Sequence, residues 1–283
     1  MGCVKAFLDN NPEAGVMYYD TEAAVTKDMM ESRGIDTNRV MISEPQTIQE
    51  FRTKALKAIE HYEQTPKDKR PPFMFVLDSL GLLSTTKELE DISDGKETRD
   101  MTKAQVIKAA FRVLTLKLAR AGIPMLVTNH VYEVIGSYIP MKEMGGGTGL
   151  KYAASTIVYL GKKKERDAST KEIVGNVIKA TTFKSRLSKE NQVAEVLLTY
   201  DKGLDKHYGL IELAIEAGLF EKNGSRILAG GKSVYAKNIL SNPDEYFTPE
   251  VLDTLDKFAQ EKYSYGTAGS EMASEDIDTE ESA

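Results

Sequence analysis

Short apolar runs alternate along this chain with longer stretches whose apolar positions recur every three to four residues. Gly-Val-Met-Tyr-Tyr-Asp at 15–20 and Val-Met-Ile at 40–42 read as short strands, Phe-Met-Phe-Val-Leu at 73–77 as a buried strand and the run 124–128 as another apolar strand. Between them, residues 26–33 read as a short helix that Gly34 stops. Thr47 opens the next helix: its hydroxyl caps an orphan amide and Glu50, three residues on, reaches back as a capping box. Behind that cap Ile48, Phe51, Ala55, Ile59 and Tyr62 share one face. A second amphipathic helix spans 100–120, with Ile107, Phe111, Leu114 and Leu118 aligned. Residues 1–10 read as the end of a helix, 12–15 as a turn and 66–72 as a charged linker.

Strands separated repeatedly by helices predict an α/β fold with a mostly parallel sheet. Residues 156–160, 176–183 and 193–199 follow without long helices between them and predict an antiparallel extension of that sheet. From about His207 the pattern changes to short helices around 211–218 and 249–262, a small α-rich C-terminal domain. The expected division is a core over 1–205, the small domain over 206–263, and a disordered tail over 264–283.

Charge sharpens that division. The net charge is -6, and the tail carries Glu271, Glu275, Asp276, Asp278, Glu280 and Glu281 with no Lys or Arg. Taking those six from 43 acids leaves 37, equal to the 37 Lys and Arg, so the folded part is neutral overall. An acidic total therefore does not exclude nucleic acid, because local basic segments decide that question. With 283 residues, 41% of them hydrophobic, the chain can bury a sizeable core. No apolar run is long enough to cross a bilayer, and the N-terminus does not read as a signal peptide. The single cysteine, Cys3, excludes an internal disulfide and a cysteine-rich zinc site. A reducing, cytoplasmic setting is expected.

The candidate chemistry sits where strands end. Asp78 with Ser79 closes the strand at 73–77, where an acid can hold Mg²⁺ through water beside a triphosphate; the plain alternative is a solvated Asp-Ser turn. Glu22 lies just past the strand at 15–20, at the same edge of the sheet, where ligands of open α/β sheets bind. It can polarise an attacking water, or simply stabilise the start of a helix. Thr128-Asn129-His130 closes the next strand, where a polar group can sense the γ-phosphate. Residues 131–147 contain Tyr132, Tyr138 and Lys142 and run into Gly145-Gly146-Gly147. Aromatics beside a lysine suit stacking and phosphate contact with single-stranded DNA, and a flexible surface loop has the same composition. Gly230-Gly231-Lys232-Ser233 ends like a phosphate loop, but its first glycine would fall on Arg226, so it reads as a turn. Basic residues cluster at Lys162, Lys163, Lys164 and Arg166, a solvated face. They recur at Lys184, Arg186 and Lys189, where Lys184 and Arg186 alternate with Ser185 and can point to one side. His61 and His207 read as ordinary surface residues.

Six motifs stand in one order: Tyr-Tyr-Asp-Thr-Glu at 18–22, Leu-Asp-Ser-Leu-Gly at 77–81, Asp-Met-Thr-Lys-Ala at 100–104, Thr-Asn-His at 128–130, Met-Gly-Gly-Gly-Thr-Gly at 144–149 and Phe-Lys-Ser-Arg at 183–186. Together they resemble the RecA recombinases, most closely the UvsX-type recombinases of T4-like phages. A different RecA-like ATPase, of the helicase or clock-protein kind, is the second family; the Gly-rich loop paired with Lys184 and Arg186 speaks against it.

The resemblance implies a RecA-like ATPase core using ATP and Mg²⁺. Glu22 matches the catalytic glutamate and Asp78 the metal-holding acid, with Ser79 beside it. Asn129 and His130 fall where the family couples nucleotide to DNA. Residues 90–99, with Lys96 and Arg99, match the first DNA-binding loop. Residues 131–147, with Tyr132, Tyr138, Lys142, Gly145, Gly146 and Gly147, match the second. Lys184 and Arg186 match the basic pair that reaches the ATP of the next protomer. Implied partners are single- and double-stranded DNA and a filament of like copies or of a full-length recombinase, in the host cytoplasm and without a membrane. Met29 stands where the family tends to place a Tyr near adenine. The family's phosphate loop is expected just before Met1, so this chain is expected to be an incomplete recombinase, or else a non-catalytic DNA-binding or filament-modulating module.

Overall fold

The four apolar runs of the first half pair side by side as a parallel sheet in the computed structural model, which describes residues 1–96, 101–133, 142–167, 170–201 and 203–265. The chain divides into two compact units, Met1–Ala154 and Ser155–Ala283.

In the first unit, α1 (Gly2–Asn10) precedes β1 (Gly15–Asp20), α2 (Lys27–Glu31) and β2 (Val40–Ser43). Then come α3 (Ile48–Glu63), β3 (Phe73–Asp78), α4 (Thr86–Ser93), α5 (Lys103–Ala121) and β4 (Met125–Val127). The sheet order is β2-β1-β3-β4, every neighbour parallel. Because side chains alternate along a strand, each face has its own core. On one face Val16, Tyr18, Met74 and Val76 pack with Val4 and Leu8 of α1 and with Met30 and Ile35. On the other, Tyr19 and Phe75 meet Phe51 of α3, which meets Phe111 of α5.

The helix signals hold with two refinements. Thr47 accepts the Glu50 amide at 3.0 Å, while the Glu50 carboxylate takes the amide of Gln46 at 2.9 Å. The reciprocal box with both bonds in place is Thr85 with Glu88, opening α4. The apolar pattern did not predict α4, because that helix buries no residue. α5 begins at Lys103 and ends at Gly122, whose φ of 70° is the left-handed stop that glycine supplies without strain. The unit closes with a hairpin of β5 (Val131–Glu133) and β6 (Lys142–Met144), then α6 (Thr148–Ala153).

The second unit opens with β7 (Thr156–Arg166), β8 (Ile173–Ser185), β9 (Val193–Thr199) and β10 (Gly203–Leu204). The antiparallel strands expected from the sequence pair in the order β10-β9-β8-β7. β7 and β8 run past their apolar stretches into Lys162, Lys163 and Lys164, which pair with Ile178, Val177 and Asn176. After β10 come α7 (Leu210–Glu216), a meander of β11 (Glu221–Asn223), β12 (Arg226–Ala229) and β13 (Lys232–Val234), then α8 (Ala236–Ser241), α9 (Pro243–Tyr246) and α10 (Pro249–Tyr263). They enclose a core of Ile211, Ala214, Phe220, Ile227, Ile239, Phe247 and Leu255. The meander escaped the sequence pattern because its strands are short and β11 is exposed throughout. Gly230 and Gly231, at φ 56° and 75°, form the two-residue turn between β12 and β13. The phosphate-loop look-alike is therefore a hairpin turn. Of the expected tail, Ser264 bridges to Ser188, and residues 266–283 lie outside the described residues. Among the described residues no helix is long and apolar enough to cross a membrane.

Candidate functional site

β1 and β3 end in register, so Asp20 and Asp78 stand side by side at the carboxyl edge of the sheet. Asp20 is buried, and its carboxylate accepts the amides of Glu22 at 3.0 Å and Val25 at 2.8 Å. It shapes the loop that carries Glu22. Asp78 is half-buried between two hydroxyls. Tyr18 Oη donates to its Oδ2 at 2.6 Å, and Thr128 Oγ1 donates to its Oδ1 at 2.6 Å.

The Asp78–Ser79 peptide is cis. Thr21 Oγ1 accepts the Ser79 amide and donates to the Ser79 carbonyl, both at 2.8 Å, and the Thr21 amide bonds the Asp78 carbonyl at 2.9 Å. Ser79 Oγ donates to Glu22 Oε1 at 3.4 Å. Glu22, Asp78 and Ser79, proposed from sequence, are thus brought together, with the Glu22 side chain exposed. Burial, and after it the Asp78 hydrogen bond, pushes the Tyr18 phenol far above its ordinary value, so it stays a donor.

Among the described residues no group of three or more His, Cys, Asp or Glu could cage a metal ion. A magnesium ion is commonly carried mainly by phosphates and water, with one or two carboxylates. Asp78 meets the requirement: each of its oxygens accepts one hydroxyl and keeps a further lone pair for a metal-bound water.

Asn129 and His130 follow β4 and lead directly into the β5–β6 hairpin. Asn129 Nδ2 donates to the Gly145 carbonyl at 2.8 Å, the His130 amide donates to Asn129 Oδ1 at 3.0 Å, and the Gly145 amide donates to the His130 carbonyl at 3.2 Å. A Cβ on Gly81 would stand 2.4 Å from His130 Cδ2, so the turn after Asp78 gives the imidazole its room. Gly146 and Gly147, at φ 94° and 72°, adopt backbone that other residues strain to reach. Tyr132 is 58% exposed, at a cavity of about 480 Å³ that Lys103 and Glu88, 3.4 Å apart, also line.

The other proposed residues are more scattered. Lys96 is exposed and pairs with Asp94 at 2.9 Å. Lys142 lies in β6, its backbone opposite Glu133. Arg99 and Tyr138 lie outside the described residues. Lys184 and Arg186 belong to the second unit, at the end of β8 and just after it. They flank a buried Ser185 whose Oγ accepts the amides of Leu187 and Ser188 at 3.1 and 3.0 Å. Met29 is half-buried in α2. Sequence reasoning missed Tyr18, Asp20, Thr21, Gly81 and Thr128. Their positions in or beside the six motifs were the available signal, but only strand register shows what each one touches.

A family model of the RecA N-terminal domain matches residues 6–205. A recombination and repair protein of enterobacteria phage T4 is 31% identical over 219 residues, covering 77% of this chain and 54% of the relative. Protein RecA of Mycoplasma mycoides is 27% identical over 256 residues, covering 87% of this chain and 69% of the relative. Protein RecA of Cytophaga hutchinsonii is 26% identical over 272 residues, covering 93% and 72%. The chain spans about half the length of the phage relative it matches.

Proposed function

This chain belongs to the RecA family, and from that premise we propose that it acts in DNA recombination and repair, as part of an ATP- and single-stranded-DNA-dependent strand-exchange recombinase that works as a filament. The observation that carries the reading is the continuous link from Asp78 to the glycine run that follows the β5–β6 hairpin. One strand end holds an oriented carboxylate, and the next strand end, bonded to it through Thr128, runs into Asn129 and its bond to Gly145.

In this reading Asp78 would hold Mg²⁺, and Ser79 steadies Glu22. When bound, Mg²⁺ neutralises charge that builds on the phosphates of ATP. Glu22 is placed to orient and deprotonate an attacking water. Asn129 and His130 pass the state of that corner to the β5–β6 hairpin and the glycines after it, where Tyr132, Gly145, Gly146 and Gly147 meet single-stranded DNA, with Lys96 contributing from the α4 side. Lys184 and Arg186 reach the nucleotide of a neighbouring copy. The core is proposed to span 1–205 and the small domain 206–263.

The basic pair Lys184 and Arg186 supports a second reading. In it the chain binds DNA and caps or modulates filaments of a full-length recombinase without turning over ATP. As an incomplete recombinase the chain is expected to give no robust DNA-stimulated phosphate release alone; robust turnover, reduced about 100-fold or more by Glu22→Gln, would overturn that expectation. Saturable binding to a fluorescent single-stranded oligonucleotide fits either reading, and a changed filament of a full-length recombinase on adding the chain supports the second. Absence of binding, with or without a full-length recombinase, overturns both.

A further inference from the structure

The two hydroxyl bonds on Asp78 come from opposite sides of its own strand. β3 lies between β1 and β4 in the sheet. Tyr18, on β1, holds one carboxylate oxygen, and Thr128, immediately after β4, holds the other, each at 2.6 Å. The terminal torsion of an aspartate is otherwise broad and roughly two-fold. Donors on both sides fix the plane of the carboxylate and leave it one remaining acceptor direction per oxygen. Both donors are neutral, so they orient the carboxylate without neutralising it.

Neither bond is needed to build the sheet. Backbone ladders already pair β1, β3 and β4. The Thr128 backbone is anchored separately, its amide to the Leu77 carbonyl and its carbonyl to the Leu80 amide, both at 3.0 Å. The Tyr18 ring is already packed in its core cluster. What the two hydroxyls add is the orientation of one acid.

We propose that Tyr18 and Thr128 are positioning residues that clamp the Asp78 carboxylate for a divalent cation. The inference rests on the reading of Asp78 as the metal-holding acid. Groups that orient a metal ligand from outside its coordination sphere change metal affinity by about 10- to 100-fold when removed.

Titration of the whole chain with Mn²⁺, read by paramagnetic broadening of amide resonances, tests both levels. Broadening in the wild type should concentrate on Thr21, Glu22, Ser79 and Thr128 and vanish in Asp78→Asn. Tyr18→Phe and Thr128→Val should each raise the Mn²⁺ midpoint about tenfold, while Thr128→Ser, which keeps the hydroxyl, should restore it. Thermal melts of the same variants separate cation response from stability. Midpoints unchanged in Tyr18→Phe and Thr128→Val overturn the clamp and leave Asp78 as the metal acid. A wild type that shows no broadening at these amides, or an Asp78→Asn that keeps it, overturns the metal reading itself, and the clamp with it.

Discussion

Tyr18 and Tyr19 are neighbours in one strand, 1% and 0% exposed, and the two faces of the sheet use them in opposite ways. On one face the Tyr18 hydroxyl reaches past its apolar cluster to Asp78. On the other, the Tyr19 ring stands edge-on to Phe51 at 5.0 Å and to Phe75 at 5.7 Å, and its buried hydroxyl has no hydrogen-bond partner among the described residues. Equal burial of equal residues thus carries different chemistry. The first face ends at the Asp78 carboxylate, and the second is held by aromatic volume.

The strongest way to break this contrast is Phe51→Ala, which empties the center of the aromatic face. It should cost about 3–5 kcal/mol in urea unfolding. A loss under 1 kcal/mol would mean that the ring cluster is not what holds that face. Tyr18→Phe keeps the ring and removes one donor from a charged acceptor, for an expected loss of about 1.5–3 kcal/mol. Equal unfolding midpoints for wild type and variant would show that the Asp78 bond adds no stability.

Alkaline pH probes both faces at once. Burial holds each phenol well above the ordinary tyrosine value, with the Asp78 bond adding to the effect at Tyr18. A pKa raised in the folded state stabilises fully below the unfolded value of about 10. That contribution drains as pH rises through the folded value. Unfolding followed above pH 10 should therefore begin later in Tyr19→Phe than in wild type, and an unmoved onset would remove Tyr19 from the cause. The smallest effect is Tyr19→Phe at neutral pH. Deleting an unpaired buried hydroxyl should leave stability unchanged or raise it by up to about 1 kcal/mol. A clear loss in a calorimetric melt would reveal a partner for that hydroxyl and end the contrast.

Much of this molecule is readable from one dimension because its causes are local. The strands at 15–20 and 73–77, the cap at Thr47, the stop at Gly34 and the α5 stripe each declare themselves within a few residues. So do Asp78, Glu22 and Asn129, which stand where strands end. α4 was hidden because it buries nothing, and the β11–β13 meander because its strands are short and mostly exposed. Tyr18 was hidden for the opposite reason: an alternating apolar strand makes its ring look like core, and its ring is core. Nothing in the pattern says where its hydroxyl goes.

The sequence by itself determined the alternation of strands and helices, the placement of acids and amides at strand ends, and the family to which those motifs point. Only the tertiary structure decided the strand orders β2-β1-β3-β4 and β10-β9-β8-β7. It alone joined Tyr18, Asp78 and Thr128, which lie 60 and 50 residues apart in the chain. Periodicity reports which side of an element is apolar. Which hydroxyl meets which carboxylate depends on register between strands that are distant in sequence, and register exists only once the sheet has formed.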